Sequence, residues 1–269
     1  MSERADTSQE FASALHRLRQ LPEVARARLQ GRFTQALLNE TFEVCTPSGR
    51  LSFVLLGRGT VIRARSMLTK QPATIQWIES FSPNSVFWDV GANVGVYTLY
   101  AALRGDTRVV AFEPAAVNYF LLAANCEANR LDARVDCLLV GLGRGKAIGR
   151  LRVSQFSPAK SFSFREKQNG RRYSEQAALL LSMDQLVGEF GLGCPNYIKI
   201  DVPGLTEEII AGGVELLRRQ EVRELHIEMR EHSTTGKRIV KTLAELGFAI
   251  AGRLAHGGAT DLTFARSGA

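Results

Sequence analysis

Apolar residues recur along this chain with two different periods, and the switches between them mark out its elements. Largely apolar runs, as strands buried on both faces must be, lie at 86–89, 109–112 and 135–139, and runs that alternate apolar with polar residues lie at 198–201 and 224–228. A closing pair follows at 248–253 and 262–265. Between them, apolar positions three and four apart predict helices at 94–103, 116–128, 206–218 and 237–246. Strand alternating with helix is the pattern of a doubly wound, mostly parallel sheet. The first forty residues are helical in period: Phe11, Leu15 and Leu18 share one face, Pro22 interrupts, and Leu29, Phe33, Ala36 and Leu37 share another. Residues 41–62 read as strands around a Pro47-Ser48-Gly49 turn. An antiparallel insertion at 143–181 separates the third and fourth strands, with segments at 148–153, 161–165 and 178–181. The expected organisation is an appendage of helices and a β-hairpin over 1–67, which could cover a cleft, cap the sheet or support a homo-oligomer. A catalytic α/β domain follows over 68–269.

Composition adds limits. No apolar run approaches the length of a bilayer span. The polar, acid-containing start does not resemble an export signal. Cys45, Cys126, Cys137 and Cys194 lack metal-ligand spacing, so we expect reduced, buried thiols in a cytoplasmic protein that holds no metal. The formal net charge is +7, and it is unevenly placed. Between 143 and 172 stand Arg144, Lys146, Arg150, Arg152, Lys160, Arg165, Lys167, Arg171 and Arg172 against the single acid Glu166, a net of +8, leaving about −1 for the remainder. Such a local excess points to an anionic partner; the alternative is a solvated hairpin with a basic face.

The densest chemical signal is Val86-Phe87-Trp88-Asp89-Val90-Gly91-Ala92-Asn93-Val94-Gly95-Val96-Tyr97. A buried strand stops at an acid and gives way to a glycine-punctuated turn and a helix, whose first amides are unpaired and suit a polar ligand group. The next strand ends in Phe112-Glu113-Pro114. An acid at that point, about twenty residues beyond the turn, is the usual partner of a ribose diol, since one carboxylate accepts two hydrogen bonds. The turn lacks the Gly-x-Gly-x-x-Gly spacing that a pyrophosphate needs, and Asp89 would repel one. An aspartate there suits the ammonium of a methionine moiety instead.

Phe112-Glu113-Pro114 with Asn118, then Tyr197-Ile198-Lys199-Ile200-Asp201-Val202, then Ile227-Glu228, resemble the FkbM family of methyltransferases, as does the upstream Lys70-Gln71-Pro72-Ala73-Thr74-Ile75-Gln76-Trp77-Ile78. The resemblance runs from about Leu68 to about Arg266. It implies a class I, Rossmann-like sheet and S-adenosylmethionine as cofactor. It also implies O-methylation of a sugar, glycolipid precursor or other natural product. It places Asp89, Gly91, Ala92, Asn93, Tyr97, Glu113, Pro114, Asn118, Gly141, Leu142 and Asp201 at the cofactor, with residues 89–93 on the methionine part, Glu113 on the ribose and the turn Gly141-Leu142 along the adenine. One departure stands out: after Asp201-Val202 the family continues with an acid, Gly, a small or apolar residue and Glu, whereas this chain has Pro203-Gly204-Leu205-Thr206.

Asp201 and Glu228 are the candidate catalytic residues. Lys199 and Asp201 share one face of their strand against Ile198 and Ile200, while His226 and Glu228 share a face of the next. Asp201 is the first candidate to receive a hydroxyl proton, with capping of the helix after Pro203 as its structural alternative. Glu228 ranks second and His226, a packing residue on the plainer reading, well behind. Asp184 reads as a helix cap or first-turn acid. Two other functions compete. The basic segment with Phe156, Phe162 and Phe164 would suit RNA, although the Asp/Asn-Pro-Pro-aromatic motif of base-nitrogen methylation is missing. A non-catalytic binding module that lost its acids at 203 and 206 is the third reading, opposed by the retained Asp89, Glu113 and Asp201.

Overall fold

The structure is a computed structural model and describes residues 2–153, 159, 160, 162, 164, 174–256 and 259–267. The chain divides into two compact units, Met1–Thr41 and Phe42–Ala269. The first holds helices α1 (Ser2–Arg19) and α2 (Glu23–Asn39), broken at Pro22 as its fixed φ and missing N–H require.

The second unit opens with the hairpin β1 (Thr41–Thr46) and β2 (Gly49–Val54), then α3 (Arg58–Arg65), α4 (Met67–Lys70) and α5 (Pro72–Glu79). The core alternation follows: β3 (Ser85–Val90), α6 (Val96–Leu103), β4 (Thr107–Phe112), α7 (Ala116–Ala128) and β5 (Val135–Leu138). After β6 (Gly141–Leu142), β7 (Ala147–Val153), β8 (Ser174–Leu181) and α8 (Met183–Gly188) come β9 (Tyr197–Ile200), α9 (Thr206–Ala211), α10 (Val214–Leu217), β10 (Glu224–Met229), α11 (Thr234–Glu245), β11 (Phe248–His256) and β12 (Ala259–Arg266). Seven strands form the central sheet in the order β11-β12-β10-β9-β3-β4-β5, parallel except for β12, which runs antiparallel to both of its neighbours. This is the expected class I, Rossmann-like α/β sheet, and β3 and β9 flank the switch point where its strand order reverses.

Five expectations need correction. Cys45, expected among the buried thiols, is exposed on β1. Residues 58–65 form a helix rather than a strand: Gly57 at φ +81 ends the extended run, and Thr60 and Ala64, one turn apart, are buried together. The hairpin grouped with the N-terminal helices belongs to the second unit, because Asn125 and Asn129 of α7 bond the β2 backbone at Val54 and Ser52. The helix expected over 206–218 is split at Gly212-Gly213, where a Cβ would lie 2.1 Å from the Gly143 carbonyl and 2.1 Å from Met183 Cε respectively. Asp184 is the first-turn acid of α8, as expected, and its carboxylate also accepts from the amides of Glu215 and Leu216 at the start of α10. Finally, Gly141 and Leu142 form a short strand, not a turn, in a second sheet of order β6-β8-β7. Of the central segment of the expected insertion only Phe162 and Phe164 are described; its other residues, together with Phe156, Lys167, Arg171 and Arg172, lie outside the described residues.

Candidate active site

Register fixes the site. Across the parallel strands Asp89 pairs with Ala111 and Lys199, and Val90 with Phe112 and Ile200. The next residues, Gly91, Glu113 and Asp201, therefore leave the carboxyl edge of the sheet at one level, where such folds bind ligands. The turn is tight. The amides of Gly91 and Ala92 both donate to the Phe112 carbonyl at 3.0 and 3.1 Å. Gly91 has φ +84, and a Cβ there would stand 2.4 Å from the Asp201 carbonyl oxygen, so only glycine lets the turn and the β9 end meet.

Glu113 is 6% exposed and accepts the backbone N–H of Asn93 at 2.9 Å and of Ala115 at 2.8 Å, one on each oxygen. Burial pushes its carboxyl up to about 7, against the pull of those two donors. Each oxygen keeps further lone-pair capacity, enough for a diol. Asn93 is itself left-handed at φ 56, and its side-chain oxygen is buried with no hydrogen-bond partner among the described residues, so an acceptor is held ready at the turn. An orphaned amide oxygen beside a buried carboxylate fits the polar face of a nucleoside cofactor. The amides of Asn93 and Asn118 converge on the Lys160 carbonyl at 3.0 and 2.9 Å, while Ala159 N–H donates to Asn118. The Ala159-Lys160 backbone and the rings of Phe162 and Phe164 thus leave a cavity of only about 50 Å³ beside Gly91, Asn93, Glu113, Pro114 and Asn118.

Asp89 and Tyr97, both expected at the cofactor, do not line this cavity. Asp89 is 1% exposed and accepts from Thr98 Oγ1 at 2.7 Å, with Lys199 Nζ 3.9 Å away; burial nevertheless raises its pKa. The Tyr97 hydroxyl donates to Gln71 at 2.6 Å, and Gln71 in turn donates to Glu228 at 2.7 Å. Desolvation of the Tyr97 ring pushes its hydroxyl well up. Ala92 is buried in the turn. Gly141 and Leu142 do not line the cavity: Gly141 packs under Leu180, Pro114 and Phe164, and Leu142 joins the core.

Asp201 follows β9 and makes no cap to α9, whose first turn starts at Leu205 without a side-chain bond. Its carboxylate instead lies 3.5 Å from Lys199 Nζ. A second cleft, of about 620 Å³, opens on its other side between the start of α9, the end of β10 and the start of α11, with Glu228, Arg230, Ser233 and Thr235 on its walls. Asp201, Val202 and Pro203 line both cavities. His226 is stacked on Trp77 at 4.9 Å and bonded to Thr74 and Thr263, so it is a core residue.

Three residues of the site escaped the sequence. Arg63 borders the smaller cavity from α3, a helix hidden behind the β-branched Val61-Ile62 pair. Gln71 links Tyr97 to Glu228. Lys199 is 3% exposed; its signal was a cation inside an otherwise apolar strand. Of the basic segment, Arg144 pairs with Glu208, Lys146 with Glu189 and Arg152 with Glu175, so acids from outside the segment offset part of its charge.

A parallel sheet in this order, with a glycine turn and two acidic strand ends at its carboxyl edge, defines a class I methyltransferase. A family model described as the methyltransferase FkbM domain matches residues 89–250, and the chain belongs to that family of S-adenosylmethionine-dependent methyltransferases. It is 31% identical over 192 residues to the AMB antimetabolite synthetase AmbE of Pseudomonas aeruginosa, a match covering 58% of this chain but only 9% of that protein. It is 27% identical to the 31-O-demethyl-FK506 methyltransferase FkbM of Streptomyces tacrolimicus, over 62% of this chain and 74% of the relative. To the hexuronic acid methyltransferase AglP of Haloferax volcanii it is 25% identical, over 68% and 71%. No described helix is long and apolar enough to cross a membrane.

Proposed function

We propose that the protein is an O-methyltransferase acting on a hydroxyl of a sugar, glycolipid precursor or secondary metabolite. The observation that carries this reading is the shared wall of the two cavities, where Asp201 faces the turn on one side and the larger cleft on the other. S-adenosylmethionine supplies a methyl group already activated on sulfur, so positioning accounts for most of what the protein must do. In this reading Glu113 takes the ribose hydroxyls, Asn93 and Asn118 exchange the Lys160 carbonyl for cofactor atoms, and the turn at Gly91 borders the methionine end, with Asp89 buried behind it. The larger cleft, polar with Glu228, Arg230, Ser233 and Thr235, receives the acceptor. Asp201 orients the acceptor hydroxyl and takes its proton as the oxygen attacks. The relatives named as methyltransferases of 31-O-demethyl-FK506 and of a hexuronic acid agree with such an acceptor.

The test pairs binding with turnover. Asp201→Asn should bind S-adenosylmethionine with nearly wild-type affinity and lose about 10²–10⁴ in methyl transfer, measured across a panel of phosphorylated and uronic sugars. Joint loss of binding and turnover would make Asp201 a cofactor ligand. An unchanged rate would remove it from the chemistry.

A further inference from the structure

Lys199 sits where a strand buried on both faces should carry an apolar side chain. Its ammonium lies 3.5 Å from Asp201, 3.9 Å from Asp89 and 5.0 Å from the centre of the Tyr97 ring. Neighbouring strands fix that position: Lys199 is in register with Asp89 on β3 and with His226 on β10. Stripping an ammonium of water costs several kcal/mol, and a buried ion pair rarely stabilises a fold more than well-packed apolar residues would. A cation in this place therefore calls for a role besides stability. Asp89 is sealed from solvent, whereas the Asp201 side chain is 29% exposed and borders both cavities.

We propose that Lys199 is a positioning residue, which fixes Asp201 as an ionised, outward-facing carboxylate ready to take the acceptor's proton. The assignment rests on the methyl-transfer reading above for its catalytic consequence, but the ion pair itself does not. The groups around Asp201 act in two directions. Burial favours its neutral form, while Lys199 above all, then Arg63 of α3 and Lys70 of α4, favour the ionised one and win. Glu228 on β10 and Asp89 on β3 add negative charge around Lys199, which with Asp201 keep its ammonium protonated despite burial. Tyr97 remains neutral beneath them. Without Lys199, Arg63 and Lys70 would be left to oppose the burial of Asp201, and the carboxylate would take up a proton at higher pH.

The decisive experiment follows the Asp201 carboxyl carbon by NMR through a pH titration of the full chain, with Asp201→Asn assigning the signal. In the wild type the midpoint should lie below the ordinary 3.8; a midpoint at or above that value overturns the proposal, and this arm requires no variant of Lys199 to fold. Lys199→Met should raise the midpoint by at least one pH unit and Lys199→Arg should restore most of the difference. An unmoved midpoint in Lys199→Met, or one equally raised in Lys199→Arg, would refute the assignment. On an acceptor found in the panel, Lys199→Met should move the acid limb of the rate profile upward and regain rate at high pH. A loss equal at every pH makes Lys199 merely structural. If no acceptor in the panel is methylated, the methyl-transfer reading fails while the titration still decides the pairing.

Discussion

At the scale of the residue, the site depends on carboxylates whose protonation is set by the contest between burial and nearby charges and donors. Glu113 has an ordinary value of 4.5 and is pushed up to about 7 in the fold. Its raised value means that the folded state holds the proton more tightly than the unfolded one. Its contribution to stability is therefore full below about 4.5 and fades as pH rises through about 7. The proposed ribose contact has the opposite preference, because hydroxyl donors favour the ionised carboxylate. Cofactor affinity should accordingly fall as pH drops below about 7, by up to about tenfold per unit. Titrations between pH 5.5 and 8.5 should show that slope in the wild type and a flat response in Glu113→Gln; equal slopes in both would place the titrating group elsewhere. Glu113 was readable from sequence because an acid closing the second strand has a stereotyped place. Lys199 was harder: a lysine two residues before an aspartate is equally what a solvated edge strand would carry, and only the sheet order shows that β9 is central.

At the scale of the element, glycines decide where backbone meets backbone. Gly91→Ala combines a left-handed φ with a Cβ 2.4 Å from the Asp201 carbonyl. It should lose more than the roughly 1–2 kcal/mol of the conformation alone and weaken cofactor binding as well. Gly31→Ala, in the middle of α2 with nothing within 4 Å, should instead gain about 0.5–1 kcal/mol. Thermal unfolding of the two variants separates these effects, and a Gly91→Ala protein as stable as the wild type would contradict the described turn. The strands and the helices of the sheet were legible because their apolar periods are long and regular. Residues 58–65 were not, since Val61 and Ile62 favour a strand locally and only the packing of Thr60 and Ala64 selects the helix. The break at Gly212-Gly213 likewise depends on the approach of Gly143 and Met183, partners remote in sequence.

At the scale of the whole molecule, two cavities meet at one carboxylate, and the chain's excess charge lies in a segment whose Lys160 carbonyl accepts from the side chains of Asn93 and Asn118 on the wall of the smaller one. Acids outside the segment offset Arg144, Lys146 and Arg152, so the attraction left for an anionic acceptor is weaker than the sequence total suggests. Exposed charges are screened over about 10 Å at 0.1 M salt. Raising salt should therefore raise the apparent KM for an anionic acceptor and leave cofactor affinity nearly unchanged; a salt-independent KM would reduce the segment to a solvated hairpin. The architecture was legible because strands alternate with helices along the chain, whereas the proposed acceptor cleft was not, since it is assembled from the starts of α9 and α11 and the end of β10. The most direct test of the account is isothermal titration of the full chain with S-adenosylmethionine and with its demethylated product. Both should bind at one site, and Glu113→Ala should weaken both by about 1–3 kcal/mol. Absence of binding heat at several temperatures in a folded sample, or affinities untouched by Glu113→Ala, would contradict it.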